Sequence, residues 1–229
     1  GGVFSIVFLI FFLWLYLVGQ SAKTDLETAK TLIANLNPSD LSTRSKYVVQ
    51  VVNEADAKVH SANQKVSTGI WRLANKVPIL NRSAVALQRT TSELARLTDT
   101  LGASVAPLKN YAPDKESVID PVLVDIVADA IENLTEPTRQ ASSSLKQIDL
   151  RWVPNSISSA VQELDLMLSS ALPYLEQGKP LIHAFPMLLG VDKPRTWLLV
   201  MNNGAESRAT GGLPGGWGIL KVNQGQLRL

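Results

Sequence analysis

Residues Thr196–Trp217 read TWLLVMNNGAESRATGGLPGGW, and this stretch separates two kinds of structure along the chain. Its first six residues form a short, mostly apolar run, which predicts a buried strand. A polar, glycine-dense loop follows, and Trp217–Val222 predicts a second strand. Asn223-Gln224-Gly225 then predicts a hairpin turn into residues 226–229. The sequence therefore predicts that an antiparallel β-containing domain starts within residues 191–229.

Residues 20–190 instead carry apolar side chains seven positions apart, the spacing of helices that pack along a common seam. The clearest columns are Val48, Ala55, Ala62 and Gly69; Val52, Val59, Val66 and Leu73; Leu80, Leu87, Leu94, Leu101 and Leu108; and Ala84, Thr91, Thr98 and Val105. The pattern predicts a mainly α protein, with a membrane-proximal helix followed by four long helices. The first of the four spans residues 39–76 and has Ser39 or Asp40 as its N-cap.

Breaks in the pattern predict where these helices end. Val77-Pro78 and Trp152–Asn155 are short connections, which favour an antiparallel bundle within one chain. An intermolecular coiled coil would show the same repeats and remains an alternative. Prolines inside the later helices, at 137, 173 and 180, predict kinks or splits. The helices therefore predict an extended stalk or spacer.

The N-terminal run Val3–Val18 contains no charged residue, which predicts a transmembrane anchor over residues 1–19. At 1.5 Å per residue its sixteen residues cover about 24 Å, slightly less than a bilayer needs. Trp14 and Tyr16 suit an interfacial aromatic belt. A cleaved signal peptide is the alternative. Because the sequence lacks an initiator Met and stops in a strand-like pattern, we expect it to be part of a longer protein.

Composition argues against several classes of function. The 229 residues include 22 basic and 20 acidic side chains without a basic run, which disfavours a nucleic-acid partner. There is no Cys, so thiol catalysis, disulfides and cysteine metal sites are excluded. The two histidines, His60 and His183, lie far apart in sequence. We therefore predict no cofactor, no metal site and no catalytic set.

The polar loop is the candidate binding site. Glycine backbone N–H groups can converge on a phosphate, and Arg208 offers a bidentate fork for the same anion. The predicted binding residues are Asn202, Asn203, Glu206, Arg208, Thr210, Gly211 and Gly212. The spacing and lysine of a P-loop are missing. In the alternative interpretation, the glycines serve a tight crossover and Arg208 pairs with an acid.

The C-terminal segment resembles domain of unknown function 4012, a family of large, mostly actinobacterial envelope proteins. The resemblance lies in the order of a strand, the motif N-N-x-x-E-x-R-x-T-G-G, a second strand and a hairpin. The lead-in Phe185–Gly190 with Pro194-Arg195 is similar as well, and so is Trp71-Arg72 before Val77-Pro78. The specific part of the resemblance covers about 45 residues at the C-terminus. The resemblance implies a membrane-anchored protein whose domains lie outside the cell, and it implies no particular activity.

Three functions are open at this point. The first is a single-pass scaffold or assembly protein of the bacterial envelope, whose partners are the lipid bilayer and other envelope proteins or copies of itself. The second is an enzyme or binding protein for a phosphate-linked envelope glycopolymer or lipid intermediate, with Glu206 as acid or base. The third is an accessory subunit of a larger membrane complex. The missing catalytic set favours the first.

Overall fold

The computed structural model describes residues 2–67, 69–114, 116–203 and 213–229; for residues 2–17, 70, 79, 202, 203, 213 and 214 the description covers the backbone. The described part is mainly α-helical and has a small antiparallel sheet at its C-terminal end. The helices are α1 (Gly2–Ala34), α2 (Asp40–Thr43), α3 (Ser45–Ser67), α4 (Ile70–Ala74), α5 (Pro78–Val105), α6 (Pro121–Lys146) and α7 (Asn155–Leu188), with a 3-10 turn at Ala106–Asn110. The strands are β1 (Arg195–Asn203), β2 (Leu213–Asn223) and β3 (Gln226–Arg228).

The long helices pack in chain order, α1 on α3, α3 on α5, α5 on α6 and α6 on α7. Each pair is antiparallel, as the predicted bundle requires. Between α1 and α3, for example, Ala22 packs near Val66 while Ala29 packs near Ala55. Among the small residues of the predicted columns, Ala55, Ala62 and Ala84 are fully buried, whereas Gly69 is exposed. Small side chains on facing positions let the helix axes approach closely. The seven-residue columns thus form the seams of a folded-back bundle.

The predicted single helix over 39–76 is wrong, because the chain breaks it twice. At its start, the Asp40 carboxylate accepts hydrogen bonds from the Asn37 N–H and the Arg44 guanidinium, and the helical pattern is interrupted at Arg44. Further on, Gly69 has a positive φ of 59°, a conformation that glycine adopts without steric cost. This break takes Leu73 out of the predicted seam, and its side chain is exposed.

The internal prolines split no helix. Pro137 lies inside α6, and Pro173 and Pro180 lie inside α7, which runs uninterrupted for 34 residues. A proline removes one backbone hydrogen bond, and the packing of the remaining turns can outweigh that loss. The predicted splits are therefore wrong, whereas the predicted kinks stay a prediction. The start of α6 follows the prediction, since Asp120 is its N-cap and accepts from the Val122 N–H.

No helix in the described part of the chain is long and apolar enough to cross a membrane. The predicted anchor spans residues 1–19, and most of the side chains in this range lie outside the described part of the structure. The backbone of α1 is helical from Gly2 and continues without a break to Ala34, where it packs on α3. The anchor therefore stays a prediction.

The sheet has the order β1-β2-β3, and both pairs are antiparallel. Both strands of the first hairpin reach into the predicted loop, because Asn202 pairs with Pro214 and Asn203 with Leu213 beyond a bulge after Met201. The two strands and the turn agree with the prediction. The predicted burial of TWLLVM does not, since its residues from Leu198 to Met201 are exposed.

Candidate functional site

The turn between β2 and β3 is fixed to the C-terminal end of α7. The Gly225 N–H donates to the Leu189 carbonyl oxygen at 2.9 Å, and the Gln224 N–H donates to the Gly190 carbonyl oxygen at 3.3 Å. The Gln224 side-chain amide adds a bond to the Val191 carbonyl oxygen at 2.7 Å. Three hydrogen bonds therefore join the sheet to the last turn of the bundle.

The segment between α5 and α6 holds the same turn from its other side. The Val118 N–H donates to the Gly225 carbonyl oxygen at 3.1 Å, and the Ser117 hydroxyl donates to the Gln224 carbonyl oxygen at 2.9 Å. Gln226 donates to the Glu116 carboxylate at 3.0 Å. These contacts span more than 100 positions in sequence. We call the arrangement of residues 116–118, 189–191 and 224–226 the clamp.

Gly190 and Gly225 allow the backbone segments of the clamp to approach closely. Gln224 and Gly225 have φ values of 49° and 77°, the positive values of a type I′ turn. A Cβ on Gly225 would lie 2.1 Å from the Ile119 carbonyl oxygen, and one on Gly190 would lie 2.5 Å from the Val222 carbonyl oxygen. The sequence signal Asn-Gln-Gly therefore marks both a hairpin and a close backbone approach.

The α5–α6 segment is itself stabilised by one partly buried carboxylate. Asp120 accepts from the Tyr111 hydroxyl at 2.7 Å and from the Asp114 N–H at 3.0 Å, besides capping α6. Burial alone would raise the pKa of Asp120, but these hydrogen bonds lower it overall. Burial, together with the bond to Asp120, raises the pKa of Tyr111. The carboxylate stays ionised and keeps the clamp segment attached to α6.

The strand ends Asn203 and Leu213, which flank the predicted binding loop in sequence, lie at the opposite end of the hairpin from the clamp. The nine residues of β1 carry the chain about 30 Å at ~3.4 Å per residue. Of the predicted binding residues, Glu206, Arg208, Thr210, Gly211 and Gly212 lie outside the described residues, and so do the side chains of Asn202 and Asn203. The structure thus fixes the two strand ends that carry this loop, and the loop's role as a binding site stays a prediction.

One face of the hairpin is apolar and exposed. In the β1–β2 register, Leu198 lies opposite Ile219 and Val200 lies opposite Trp217, so all four side chains share a face. Trp217 is 73% exposed and Leu198 is 67% exposed. We call these four residues the hairpin face. A contiguous apolar surface of this kind is typical of an interaction site.

A second cluster of polar side chains lies on the bundle, where sequence reasoning found an isolated histidine. His60 of α3 has its Nε2 2.9 Å from Oδ1 of Asp99 on α5 and 3.5 Å from Oδ1 of Asp56, one helical turn earlier. The hydrogen bond with Asp99 raises the pKa of His60; partial burial opposes the shift and the Asp56 charge adds to it. The i,i+4 spacing of Asp56 and His60 is a local signal, but Asp99 joins them only through helix packing.

Comparison with known proteins identifies the C-terminal segment. Residues 192–229, which include the strands and the predicted loop, match the model of one family, described as protein of unknown function (DUF4012). No curated protein and no solved structure matches the chain. The clamp turn and the hairpin face both lie within the matched residues. The C-terminal segment of the chain, residues 192–229, is therefore similar to the DUF4012 family of proteins of unknown function.

Proposed function

We propose that the chain is a single-pass, membrane-anchored scaffold of the cell envelope, in which the helical bundle holds the hairpin outside the membrane. The observation that carries the proposal is the clamp. A turn fixed by hydrogen bonds from both sides restricts how the hairpin can move relative to the bundle. A scaffold requires such a fixed connection, because a freely rotating head would not set a defined position for a partner.

The N-terminal sequence supports the anchored part of the proposal. Val3–Val18 is uncharged and continuous with the helix α1, whose later turns pack in the bundle. In this arrangement the anchor and the first helix of the stalk are one element. The bundle would then stand directly on the membrane without a flexible linker.

Protease protection of the full-length protein in its own membranes tests the topology. Right-side-out vesicles should lose the bundle and the hairpin to added protease, and inside-out vesicles should protect both. The opposite pattern, or release of the protein by a high-salt wash without detergent, would contradict the proposal. A detergent-free soluble form that begins after Gly19 would instead indicate a cleaved signal peptide.

The accessory-subunit role is a second candidate, and the hairpin face favours it. A partner that covers Trp217 and its three neighbours would remove apolar surface from water, which favours association by about 25 cal/mol per Å². A photo-crosslinking amino acid at position 217 of the full-length protein should capture one specific partner in native membranes. The same amino acid at Tyr174, an equally exposed site on α7, is the matched control. Identical adducts from both positions would remove this candidate.

The phosphate-ligand role also stays a proposal. It rests on Arg208 and the glycine pairs of the loop, as the sequence indicates. Native mass spectrometry of gently extracted protein tests it directly. A bound polyprenyl-phosphate lipid that disappears in Arg208→Ala would support a ligand-binding loop, and a lipid-free protein would support the scaffold.

A further inference from the structure

Asp56, His60 and Asp99 bring three metal-ligating atoms together on the bundle surface. One ligand atom from each side chain lies within 4.8 Å of the others. The three residues come from two helices, so the group exists only in the folded bundle. We propose that these residues bind a zinc-like divalent cation that links α3 to α5.

The donor types fit zinc. One imidazole nitrogen and two carboxylate oxygens form a ligand set that Zn²⁺ accepts, and a catalytic or exchangeable zinc site commonly uses three protein ligands. In a tetrahedral site with bonds of about 2.0–2.1 Å, neighbouring ligand atoms lie roughly 3.3 Å apart. The distances from His60 Nε2 to the two aspartate oxygens, 2.9 and 3.5 Å, bracket this value.

The surroundings of the cluster hold the two helices together and orient one of the ligands. Beneath it, Ala55, Val59 and Ala95 form one core cluster that fixes α3 against α5. The Thr98 hydroxyl donates to Asp56 Oδ1 at 2.6 Å, which orients that carboxylate. Such a second hydrogen bond to a ligating carboxylate is usual around bound metals. His60 and Asp99 are exposed, so water can supply the remaining ligand.

Without a metal ion, α3 and α5 are joined at this point by the hydrogen bond between His60 Nε2 and Asp99 Oδ1, at 2.9 Å. A bound cation would replace this hydrogen bond, since imidazole ligates in its neutral form. The cation would then hold α3 and α5 together through three ligand bonds. This role is independent of the proposed scaffold function, because it concerns the stability of the bundle.

Isothermal titration of the full chain in detergent with Zn²⁺, after removal of bound metal with a chelator, tests the proposal. We expect one ion per chain, with affinity at least about tenfold weaker in His60→Gln and in Asp99→Asn. His183→Gln is the matched control, because His183 is the chain's other histidine and lies on α7, outside the cluster. Its affinity should equal that of the unaltered chain.

Thermal unfolding gives a second readout that does not depend on the heat of binding. Zn²⁺ should raise the melting temperature of the unaltered chain and of His183→Gln, and the chelator should reverse the rise. His60→Gln should melt as the chain does without zinc. Three outcomes would overturn the proposal: equal affinity in His60→Gln, no binding tighter than about 0.1 mM, or a melting temperature that responds to pH but not to zinc.

Discussion

Replacing Gly225 by alanine should separate the β2–β3 turn from the α5–α6 segment while leaving the helices folded. The added methyl group would lie 2.1 Å from the Ile119 carbonyl oxygen and 3.1 Å from Cδ of Pro121. The first distance is far below any normal contact, and both neighbours belong to a segment fixed by Asp120. Either the turn or residues 118–121 must therefore move apart.

The cost can be assembled from two sources. Alanine at a φ of 77° is disfavoured by roughly 1–2 kcal/mol relative to glycine. Separation of the turn also breaks the bonds from the Val118 N–H and the Ser117 hydroxyl, each worth about 1 kcal/mol. The sum is about 3–4 kcal/mol, which weakens docking of the turn on the α5–α6 segment by a factor on the order of 10²–10³.

Hydrogen exchange followed by mass spectrometry measures this directly. In Gly225→Ala, peptides that cover residues 116–120 and 222–228 should exchange on the order of 100-fold faster, whereas peptides from α3 and α5 should keep their protection. Gly218→Ala is the matched control on the same strand. A Cβ there would meet only Leu229 Cδ1, at 3.6 Å, an ordinary contact.

Two results would refute the reasoning. If Gly225→Ala exchanges like the unaltered chain, the clamp is not what limits movement of the hairpin. If Gly218→Ala loses as much protection as Gly225→Ala, any substitution in β2 has the same effect and the close approach at Gly225 is irrelevant.

Two further predictions concern the bundle. Leu145 is 2% exposed between α6 and α7, and Leu145→Ala should lower the free energy of urea unfolding by about 2–5 kcal/mol. Leu166 is 69% exposed on α7, and Leu166→Ala should lower it by less than about 0.5 kcal/mol. Similar losses in the two variants would show that this core is not packed as described. Burial alone would raise the pKa of Asp25, but hydrogen bonds from Lys65 and Ser61 lower it overall. The contribution of Asp25 to the free energy of unfolding should therefore be complete above pH 3.8, its usual pKa, and disappear as pH falls through the lowered pKa. Asp25→Asn should lose stability at neutral pH, and its stability should fall less steeply as the solution is acidified. An unchanged dependence of stability on pH would contradict this.

Local patterns in the sequence predicted most of the architecture. The columns through Val52, Val59 and Val66 identify the face of α3 that is buried, because helical geometry places residues seven apart on one side. Asp120-Pro121 predicted the start of α6 for an equally local reason, since a cap needs only its own first turn. Asn223-Gln224-Gly225 predicted a turn from φ preferences alone.

Features that depend on distant contacts were not accessible in the same way. Nothing near Gly69 distinguishes a tolerated helix glycine from one that ends a helix, so the break after α3 was missed. The clamp joins residues 117 and 224, and Asp99 meets His60 across 39 positions. Single-sequence patterns carry no information on such pairs, which are decided by the packing of whole helices.

The exposure of the hairpin face is the most informative difference between prediction and structure. The short, mostly apolar run TWLLVM predicted a buried strand, but its residues from Leu198 to Met201 are exposed, and so is Trp217 on the paired strand. Apolar side chains of this size each gain roughly 1.5–3 kcal/mol on burial. A face that is held rigidly at its base and left uncovered along its length is therefore suited to bind another surface. The scaffold and accessory-subunit proposals share this requirement, and the crosslink from position 217 examines it for both.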